Sequence, residues 1–448
     1  MRHFLPALIA LLVAVSGPAR AELQIEITQG VDKALPIAVV PFGWEGTGSG
    51  PPLDAAAVVA ADLARSGRFA PLERRDMLQK PTTPAEVKFD DWRMQAAESL
   101  IIGRVLQTAP DQYEIQFQVF DVLRGEQLLS YRQPATAAEF RRSCHRVADL
   151  IYEQLTGLRG VFSTRIAYVT VVRSQAQPQG QSQGQSQASV RSSYRLVIAD
   201  ADGENPRVIM ESREPIMSPA WSPDGRSLAY VSFEARRSEI YVQDLRAGTR
   251  KRVSARPGVN GAPAWSPDGK MLALALSRQD GNLDIYTLDI ATQVLTRLTS
   301  GPAIDTEPSW SLDGQQIYYT SDAAGGPQVY RIAAGGGGSP QRVTFEGPYN
   351  ARPRLAPDGK QIAVVHNDRG NYRIAVVDLA RAATQVLSNG RLDESPSFAP
   401  NGEMLIYATR EGSRGVLATV STNGRIKQRI SALEGDVREP AWSPFPSN

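Results

Sequence analysis

The chain has 448 residues, with 49 Lys or Arg, 47 Asp or Glu, and 42% apolar residues. This composition is typical of folded globular proteins and excludes a disordered chain, and the length suggests two or three domains. The balanced charge argues against a nucleic-acid partner, because no basic block is present that could bind a polyanion by releasing counterions.

Residues 1–21 have the pattern of a secretory signal peptide. Arg2 gives the positive start, residues 5–15 form the apolar stretch, and Ala19-Arg20-Ala21 gives the cleavage site. We therefore expect an exported chain that begins at Glu22 and carries 47 basic and 47 acidic residues. No later stretch reaches the roughly 20 apolar residues of a membrane span, so the sequence predicts none. The single Cys144 predicts that there is no internal disulfide.

Residues 22–34 form a short segment in which apolar and polar residues alternate. Leu23, Ile25, Ile27 and Val31 would share one face of a strand. One interpretation is the first strand of the domain that follows. The other is an arm that adds to the sheet of a partner protein, where backbone hydrogen bonds supply affinity and alternate side chains supply specificity.

Residues 35–160 mix helical and strand patterns and predict an α/β domain. We expect a strand over 36–42, a helix over 54–66 ended by Gly67, and a helix passing into a strand over 91–106. Strands follow over 113–119 and 127–132. A last helix over 139–155 has a single apolar face, formed by Phe140, Cys144, Val147, Ile151 and Leu155.

Residues 161–448 contain a repeat. The motif Pro-Ala-Trp-Ser-Pro-Asp-Gly begins at Pro219 and recurs in full or weakened form. Its central large residue is, in turn, Trp221, Trp265, Trp310, Leu355, Phe398 and Trp442. The spacings of 44, 45, 45, 43 and 44 residues match four-stranded propeller blades.

The number of strands predicts how the ring closes. Six innermost strands carry the motif, but the sixth lies at the C-terminus, and the three strands it lacks appear before the first motif, over 165–170, 194–200 and 207–210. The Trp442 strand should therefore pair with the strand that begins at Arg165 and close a six-bladed β-propeller. The Gln-rich segment 175–189 falls within this blade, and its composition predicts a loop without a binding role.

Catalytic signals are weak in this sequence. The chain has three His and contains neither Gly-x-Ser-x-Gly nor His-Glu-x-x-His. Cys144 and His145 are neighbours in the last predicted helix, so they point in different directions, and Cys144 belongs to the apolar face. His366 at the end of a blade strand is expected to be structural or exposed. We predict no catalytic residue, no metal site and no cofactor.

The segments that lead into the innermost strands vary between repeats. They are 257–262, 305–307, 349–352, 392–395 and 437–439, and they lie at one mouth of the predicted channel. They could be no more than a solvated rim. Alternatively they form a protein-binding face, because loops on a rigid scaffold commonly carry binding residues.

The features outside the repeats point to a family. They are the Ala-x-Ala leader, the start Glu-x-x-Ile-x-Ile, the strand Pro-Ile-Ala-Val-Val-Pro-Phe from Pro36, and Leu-Thr-Gly-Leu from Leu155 ahead of Phe162-Ser163-Thr164. Together with the blades they resemble the TolB family of the periplasmic Tol-Pal system, over essentially the whole mature chain.

The resemblance implies a periplasmic adaptor that is not an enzyme and supports outer-membrane integrity and constriction during cell division. Its propeller face would bind the lipoprotein Pal, and its N-terminal arm would bind the C-terminal domain of TolA; colicins and filamentous phage exploit the same system. The implied Pal-binding residues are Val259, Asn260, Gly261, Ala262, Thr306, Glu307, Asp393 and Glu394. The implied TolA-binding residues are Glu22, Leu23, Ile25, Ile27 and Val31. At the position of Val259 the family often has His, which is a departure of this chain from the pattern.

The alternative function is that of a periplasmic propeller hydrolase or lactonase. Peptidases with similar propellers need an α/β-hydrolase domain, and lactonases need a polar or metal-binding channel, for which this His-poor sequence offers little. Pal copurification without turnover of esters, lactones or sugars would favour the adaptor.

Overall fold

The computed structural model describes residues 25–27, 34–48, 50–175, 190–277, 281–430 and 433–446. The predicted signal peptide and almost all of the Gln-rich segment lie outside these residues. The first described element is the strand β1 (Ile25–Ile27). Among the described helices, none is both long and apolar enough to cross a bilayer.

The N-terminal domain is a mixed sheet with helices on both faces. Its strands are β2 (Leu35–Val39), β3 (Gly43–Glu45), β4 (Phe69–Pro71), β5 (Ser99–Ala109), β6 (Gln112–Asp121) and β7 (Glu126–Thr136). Its helices are α1 (Ala55–Arg65), α2 (Phe89–Met94) and α3 (Phe140–Thr156), with a 3-10 turn at Pro84–Glu86. The sheet order is β4-β2-β5-β6-β7, and β3 also pairs with β5. β2 is parallel to β4 and β5, whereas β6 is antiparallel to its neighbours.

Local sequence determines where these helices begin, end and pack. Asp54 caps α1 by accepting the backbone N–H of Ala57, and Gly67, at φ +66°, follows the helix in a left-handed conformation. The apolar faces of α1 and α3 pack on one side of the sheet. Trp92 of α2 packs on the other side. The domain therefore has the α/β architecture expected from its sequence.

The rest of the chain forms a six-bladed β-propeller. Blade 1 contains β8 (Arg165–Gln175), β9 (Val190–Asp200), β10 (Arg207–Ser212) and β31 (Asp436–Trp442); blade 2 contains β11 (Ile216–Trp221), β12 (Ser227–Ser232), β13 (Glu239–Asp244) and β14 (Arg250–Ser254). Blade 3 contains β15 (Asn260–Trp265), β16 (Met271–Ser277), β17 (Leu283–Asp289) and β18 (Leu295–Arg297); blade 4 contains β19 (Asp305–Trp310), β20 (Gln316–Ser321), β21 (Gln328–Ala333) and β22 (Gln341–Arg342). Blade 5 contains β23 (Asn350–Leu355), β24 (Gln361–Asp368), β25 (Asn371–Asp378) and β26 (Thr384–Val386); blade 6 contains β27 (Glu394–Phe398), β28 (Met404–Glu411), β29 (Arg414–Ser421) and β30 (Ile426–Ile430).

The ring closes as the sequence predicts. β31 pairs antiparallel with β8, with Trp442 opposite Ile166 and Val437 opposite Thr170. The last strand of the chain is thus the innermost strand of the first blade, and the propeller ends are tied together by backbone hydrogen bonds.

The repeated motif forms hairpin turns within the blades and hydrogen bonds between neighbouring blades. In its turn, Gly225 has φ +68° and donates its N–H to the Ser222 carbonyl, and the hydroxyl of Ser222 donates to Asp224. The Trp of the motif reaches the preceding blade: the indole N–H of Trp310 donates to the carbonyl of Ala264 at 3.0 Å. Trp221 and Trp265 make the equivalent bonds at 3.0 and 3.1 Å. Leu355 and Phe398 have no indole N–H, so this link cannot form at their positions.

Candidate functional site

The innermost strand of every blade is interrupted by a bulge immediately before the Pro of the motif. The strand register shifts at this point in all six blades. The residue before Pro has φ between +49° and +56°; these residues are Ser218, Ala262, Glu307, Arg352, Ser395 and Glu439. A left-handed conformation is uncommon for a residue with a side chain, so its sixfold recurrence marks a built feature of the fold. Ala262 and Glu307, both implied Pal-binding residues, belong to this ring of bulges.

Four members of the ring meet around one guanidinium. Nε of Arg352 donates to Glu307 Oε1 at 2.7 Å, and Nη2 lies 3.4 Å from Glu439 Oε1. Nη1 donates to the hydroxyl of Ser395. Arg352 and Glu439 belong to blades 5 and 1, so this contact passes blade 6 and crosses the channel. Ser218 joins the same cluster, because its backbone N–H donates to Glu439.

The charges in this cluster are matched. Burial alone would lower the pKa of Arg352, but the carboxylates of Glu307 and Glu439 outweigh it and raise the pKa above the ordinary value. The second oxygen of Glu307 accepts from the backbone N–H of Arg352 and from the hydroxyl of Thr320, both at 3.0 Å. Glu307 is therefore held inside the channel mouth and does not project freely into solvent.

Two predicted site residues, Asn260 and Asp393, have no solvent-exposed surface. Oδ1 of Asn260 accepts from the hydroxyl of Ser254 at 2.6 Å and from the backbone N–H of Arg256 at 3.0 Å. The carboxylate of Asp393 accepts from the hydroxyls of Ser388 and Thr409, both at 2.5 Å. These side chains tie the loops to the blades. Their direct contact with a partner stays a prediction.

His366 takes part in an equivalent group of hydrogen bonds in blade 5. Asn350 donates to Gln328 at 3.0 Å, and its Oδ1 lies 2.9 Å from Nδ1 of His366. His366 is buried, and this burial lowers its pKa. The imidazole ring of His366 therefore helps to hold the loop before the innermost strand of blade 5 in place.

The remaining predicted rim residues reach the surface to different degrees. Val259 is 47% exposed and Glu394 is exposed, whereas Gly261, Ala262 and Thr306 are partly buried. Three exposed apolar residues on the same side, which the sequence prediction did not include, are Met217, Ile304 and Phe345. Each stands in or close to a segment leading into an innermost strand, and that position is the signal that could have identified them. Apolar side chains among charged ones are typical of a protein-binding surface.

A cavity of about 400 Å³ opens at the channel mouth beside these residues. Arg352, Glu394, Ser395 and Glu439 contribute to its wall, together with Phe233. It offers both charged and apolar contacts, and its concave shape could receive a side chain or short loop of a protein partner.

The predicted arm is described only at Ile25–Ile27. This strand, β1, pairs antiparallel with β30 at the outer edge of blade 6, with Glu26 opposite Lys427 and Ile27 opposite Ile426. The interpretation of this strand as part of the α/β sheet is therefore wrong. Glu22, Leu23 and Val31 lie outside the described residues, and binding of a partner by the arm stays a prediction.

The adjacent Cys144 and His145 have different surroundings. Cys144 is fully buried in the core of the N-terminal domain, and burial raises the pKa of its thiol to about 12, which is unsuited to a nucleophile. Nδ1 of His145 lies 2.6 Å from Oδ2 of Asp62 in α1, and Nε2 lies 3.6 Å from Oδ2 of Asp202 in the propeller.

Asp62, His145 and Asp202 bring three possible metal ligands within 4.8 Å of one another. The two carboxylates already form ion pairs, because Arg65 lies 2.8 Å from Asp62 and Arg141 lies 2.5 Å from Asp202. Guanidinium groups in these positions would repel a cation. We interpret the cluster as an ionic junction between the two domains.

Comparisons with known proteins cover nearly the whole chain. The TolB amino-terminal domain family matches residues 23–128, and the TolB beta propeller domain family matches residues 152–446. The Tol-Pal system protein TolB of Nitrosococcus oceani is 52% identical over 98% of this chain and 97% of its own length. That of Thioalkalivibrio sulfidiphilus is 49% identical over 99% of both chains.

A solved structure agrees with these matches. The crystal structure of TolB from Acinetobacter baumannii is 42% identical and superimposes with a TM-score of 0.82 over 94% of this chain and all of that one. The chain is therefore a member of the TolB family and a component of the Tol-Pal system of the cell envelope.

Proposed function

We propose that this Tol-Pal component is a periplasmic adaptor without catalytic activity. Its propeller rim binds Pal, its N-terminal arm binds the C-terminal domain of TolA, and the two contacts together support outer-membrane integrity and constriction during division. Colicins and filamentous phage are further candidate users of the same surfaces. The observation that carries the proposal is the pairing of β1 with the edge of blade 6 in a chain of this family.

The arm is attached in a way that allows its release. Three residues of β1 form the described pairing, and they contact a single neighbouring strand. A net gain of about 1 kcal/mol per backbone hydrogen bond, reduced by the cost of ordering the segment, gives weak attachment. The same backbone groups could instead pair with an edge strand of TolA.

The two partners would be coupled if Pal and TolA favoured different positions of the arm. Pal binding at the rim could favour either the docked or the released arm, and TolA would bind the released one. Such coupling must be reciprocal, so each partner would change the affinity of the other by the same factor.

Deletion of residues 22–31 tests the arm. We expect the truncated protein to lose TolA binding in calorimetric titrations and to keep Pal binding, which also serves as the folding control. Undiminished TolA binding by the truncated protein would rule out the arm as the TolA site.

Charge reversal at the rim tests the Pal site. Glu307→Arg should weaken Pal binding, because it removes a carboxylate from the channel mouth and places a second cation beside Arg352. Glu394→Arg makes the same reversal at an exposed position, so it separates lost contact from local misfolding. Glu126→Arg, at an exposed position of β7 in the other domain, is the matched control. Equal Pal affinity of all three variants and the unmodified protein would exclude this face.

A further inference from the structure

A second cavity lies at the junction of the two domains, at the ends of the blades away from the rim. Its volume is about 240 Å³, several times the roughly 30 Å³ that one water molecule occupies in the liquid. Its wall includes Ser163 and Thr164 from the interdomain segment, the turn 224–226 of blade 2, and residues 443–446 after the last strand. Three arginines, Arg142, Arg165 and Arg226, also line it.

The described residues balance the positive charge of this pocket only in part. Burial alone would raise the pKa of Asp224, but its hydrogen bonds and the charge of Arg226 lower it, so this carboxylate partly balances Arg226. Nε of Arg142 is buried and has no hydrogen-bond partner among these residues. Arg165 lies over the ring of Trp221 at 5.2 Å, and its nearest hydrogen-bond acceptor is the carbonyl of Gly225 at 3.4 Å.

The single carboxylate in the wall belongs to the hairpin turn. Oδ1 of Asp224 accepts from the hydroxyl of Ser222 at 2.6 Å and from the backbone N–H of Arg226 at 3.0 Å. Asp268 makes the same pair of bonds in the next blade, so this arrangement is a property of the repeated turn. The residues that line this wall therefore include one carboxylate and three arginines.

The charges around Arg165 support the same conclusion. Burial lowers the pKa of Arg165, the positive charges of Arg142 and Arg207 lower it further, and Asp200 offsets this only in part. Bringing cations together out of water is unfavourable unless an anion joins them. Guanidinium groups match carboxylate and phosphate oxygens with paired, charge-assisted hydrogen bonds.

We propose that this junction pocket binds a small molecule through an oxyanion group, a carboxylate or a phosphate, held by Arg142, Arg165 and Arg226. The hydroxyls of Thr164 and Ser443 already donate to the carbonyls of Val161 and Pro444, so the anion would be held by the arginines. The bound anion would link the N-terminal domain, through Arg142 of α3, to blades 1 and 2. The proposal does not depend on Pal or TolA binding, because the pocket lies at the opposite end of the blades from the rim.

Calorimetric titration of the mature protein with sodium phosphate and with sodium acetate, at constant ionic strength in chloride, tests the pocket. We expect saturable binding of at least one of the two, and the one that binds identifies the group. Arg142→Gln and Arg226→Gln should each weaken binding about tenfold, the effect of losing a hydrogen bond to a charged group. Lys270→Gln changes the residue equivalent to Arg226 in the next blade and should bind as the unmodified protein does.

The outcomes separate the pocket from general salt effects. Arg226 is exposed at a turn, so its replacement should leave the fold intact, which circular dichroism would check for every variant. The proposal would be overturned if neither anion bound saturably. It would equally be overturned if Arg142→Gln and Arg226→Gln bound as tightly as Lys270→Gln.

Discussion

Asp202 is the propeller residue on which the ionic junction between the domains depends. It lies in the turn after β9 and faces His145, Arg141 and Arg65 of the N-terminal domain, with side-chain exposures of 8% for Asp202 and 1% for His145. Replacing Asp202 by Asn removes the carboxylate and keeps the size of the side chain. The three groups of the N-terminal domain would then lose their anionic partner across the interface.

The expected loss of stability follows from the pKa of Asp202. Burial alone would raise this pKa, but Arg65, His145 and Arg141 outweigh it and lower the pKa from 3.8 to about 2. At 1.36 kcal/mol per pH unit, this difference corresponds to roughly 2.5 kcal/mol. Because the pKa is depressed in the folded state, the contribution is fully present above about pH 4 and is lost as the pH falls through about 2. Asp202→Asn should therefore destabilise the protein by roughly 2–4 kcal/mol at pH 7, the upper figure reflecting buried charges left unpaired.

Scanning calorimetry at pH 7 and pH 3 would measure the effect. The destabilisation should roughly halve at pH 3, where the native carboxylate contributes less. Asp244→Asn is the matched control, because Asp244 only caps a hairpin turn of blade 2 through the backbone N–H groups of Arg246 and Ala247. If Asp202→Asn had no larger effect than this control at pH 7, the junction would not stabilise the protein.

His145 supplies an independent readout of the same junction. Burial lowers the pKa of His145, but the carboxylates of Asp62 and Asp202 outweigh it and raise the pKa above 6.5. Its stabilising effect is therefore present below pH 6.5 and is lost as the pH rises through the folded-state pKa. NMR titration should show that Asp202→Asn lowers the pKa of His145. An unchanged value would contradict the electrostatic contact.

Two further predictions concern the junction and the propeller. Asp149 accepts the backbone N–H of Phe162 at 2.7 Å, and burial raises the pKa of its carboxyl group to about 6. Because this pKa is raised in the folded state, the stabilising effect of the protonated group is fully present below about pH 3.8 and is lost as the pH rises through about 6. Asp149→Asn should remove this part of the stability change between pH 4 and 6 in calorimetry, and an unaltered pH profile would contradict the assignment. Trp310→Phe should cost about 1–2 kcal/mol, because the indole bond to Ala264 is lost together with some packing. Chemical unfolding would measure this loss of stability. Trp44→Phe is the control, because the indole hydrogen bond of Trp44 is long and exposed. An equal effect of both changes would show that the hydrogen bond between Trp310 and Ala264 does not stabilise the propeller.

The fold was predictable because its main signal is repeated. The motif occurs six times at spacings of 43 to 45 residues, and this number determines the number of blades. The sixth copy lies at the C-terminus, away from the other strands of its blade in the sequence, and its position determines how the ring closes. The N-terminal domain has no such redundancy. The strands β3 and β4 were missed because three residues are too few to show alternation. The helix predicted from residue 91 is α2, which ends at Met94, and Ala96 at φ +56° separates it from β5.

The binding residues could be predicted only as positions in loops, because a sequence pattern does not say which way a loop side chain points. A polar side chain in a loop can bond to its own loop as readily as to a partner. Asn260 and Asp393 do so, and the sequence contains a sign of it. In blades 3 to 6 an Asn or Asp stands at the start of the innermost strand or just before it, and a Ser or Thr lies five or six residues earlier in the chain. The pairs are Ser254 with Asn260, Thr299 with Asp305, Thr344 with Asn350, and Ser388 with Asp393.

Recurrence therefore separates two kinds of residue on the rim. A residue type that returns at the same place in successive blades meets a need that every blade has, such as tying a loop or capping a turn. A partner touches the ring in one orientation, so its contacts must differ from blade to blade. Phe345 is exposed, and the residues at the same place in the segments leading into blades 3, 4 and 6 are Ala255, Ser300 and Asn389. By contrast, Val259 and Ile304 occupy one shared position, where Tyr349 and Leu392 follow in the next two segments, so a large apolar residue recurs there. On this reasoning Phe345 is a stronger candidate for partner contact than the buried Asn260 and Asp393, whereas the family resemblance implies both of these residues and Val259 as contacts.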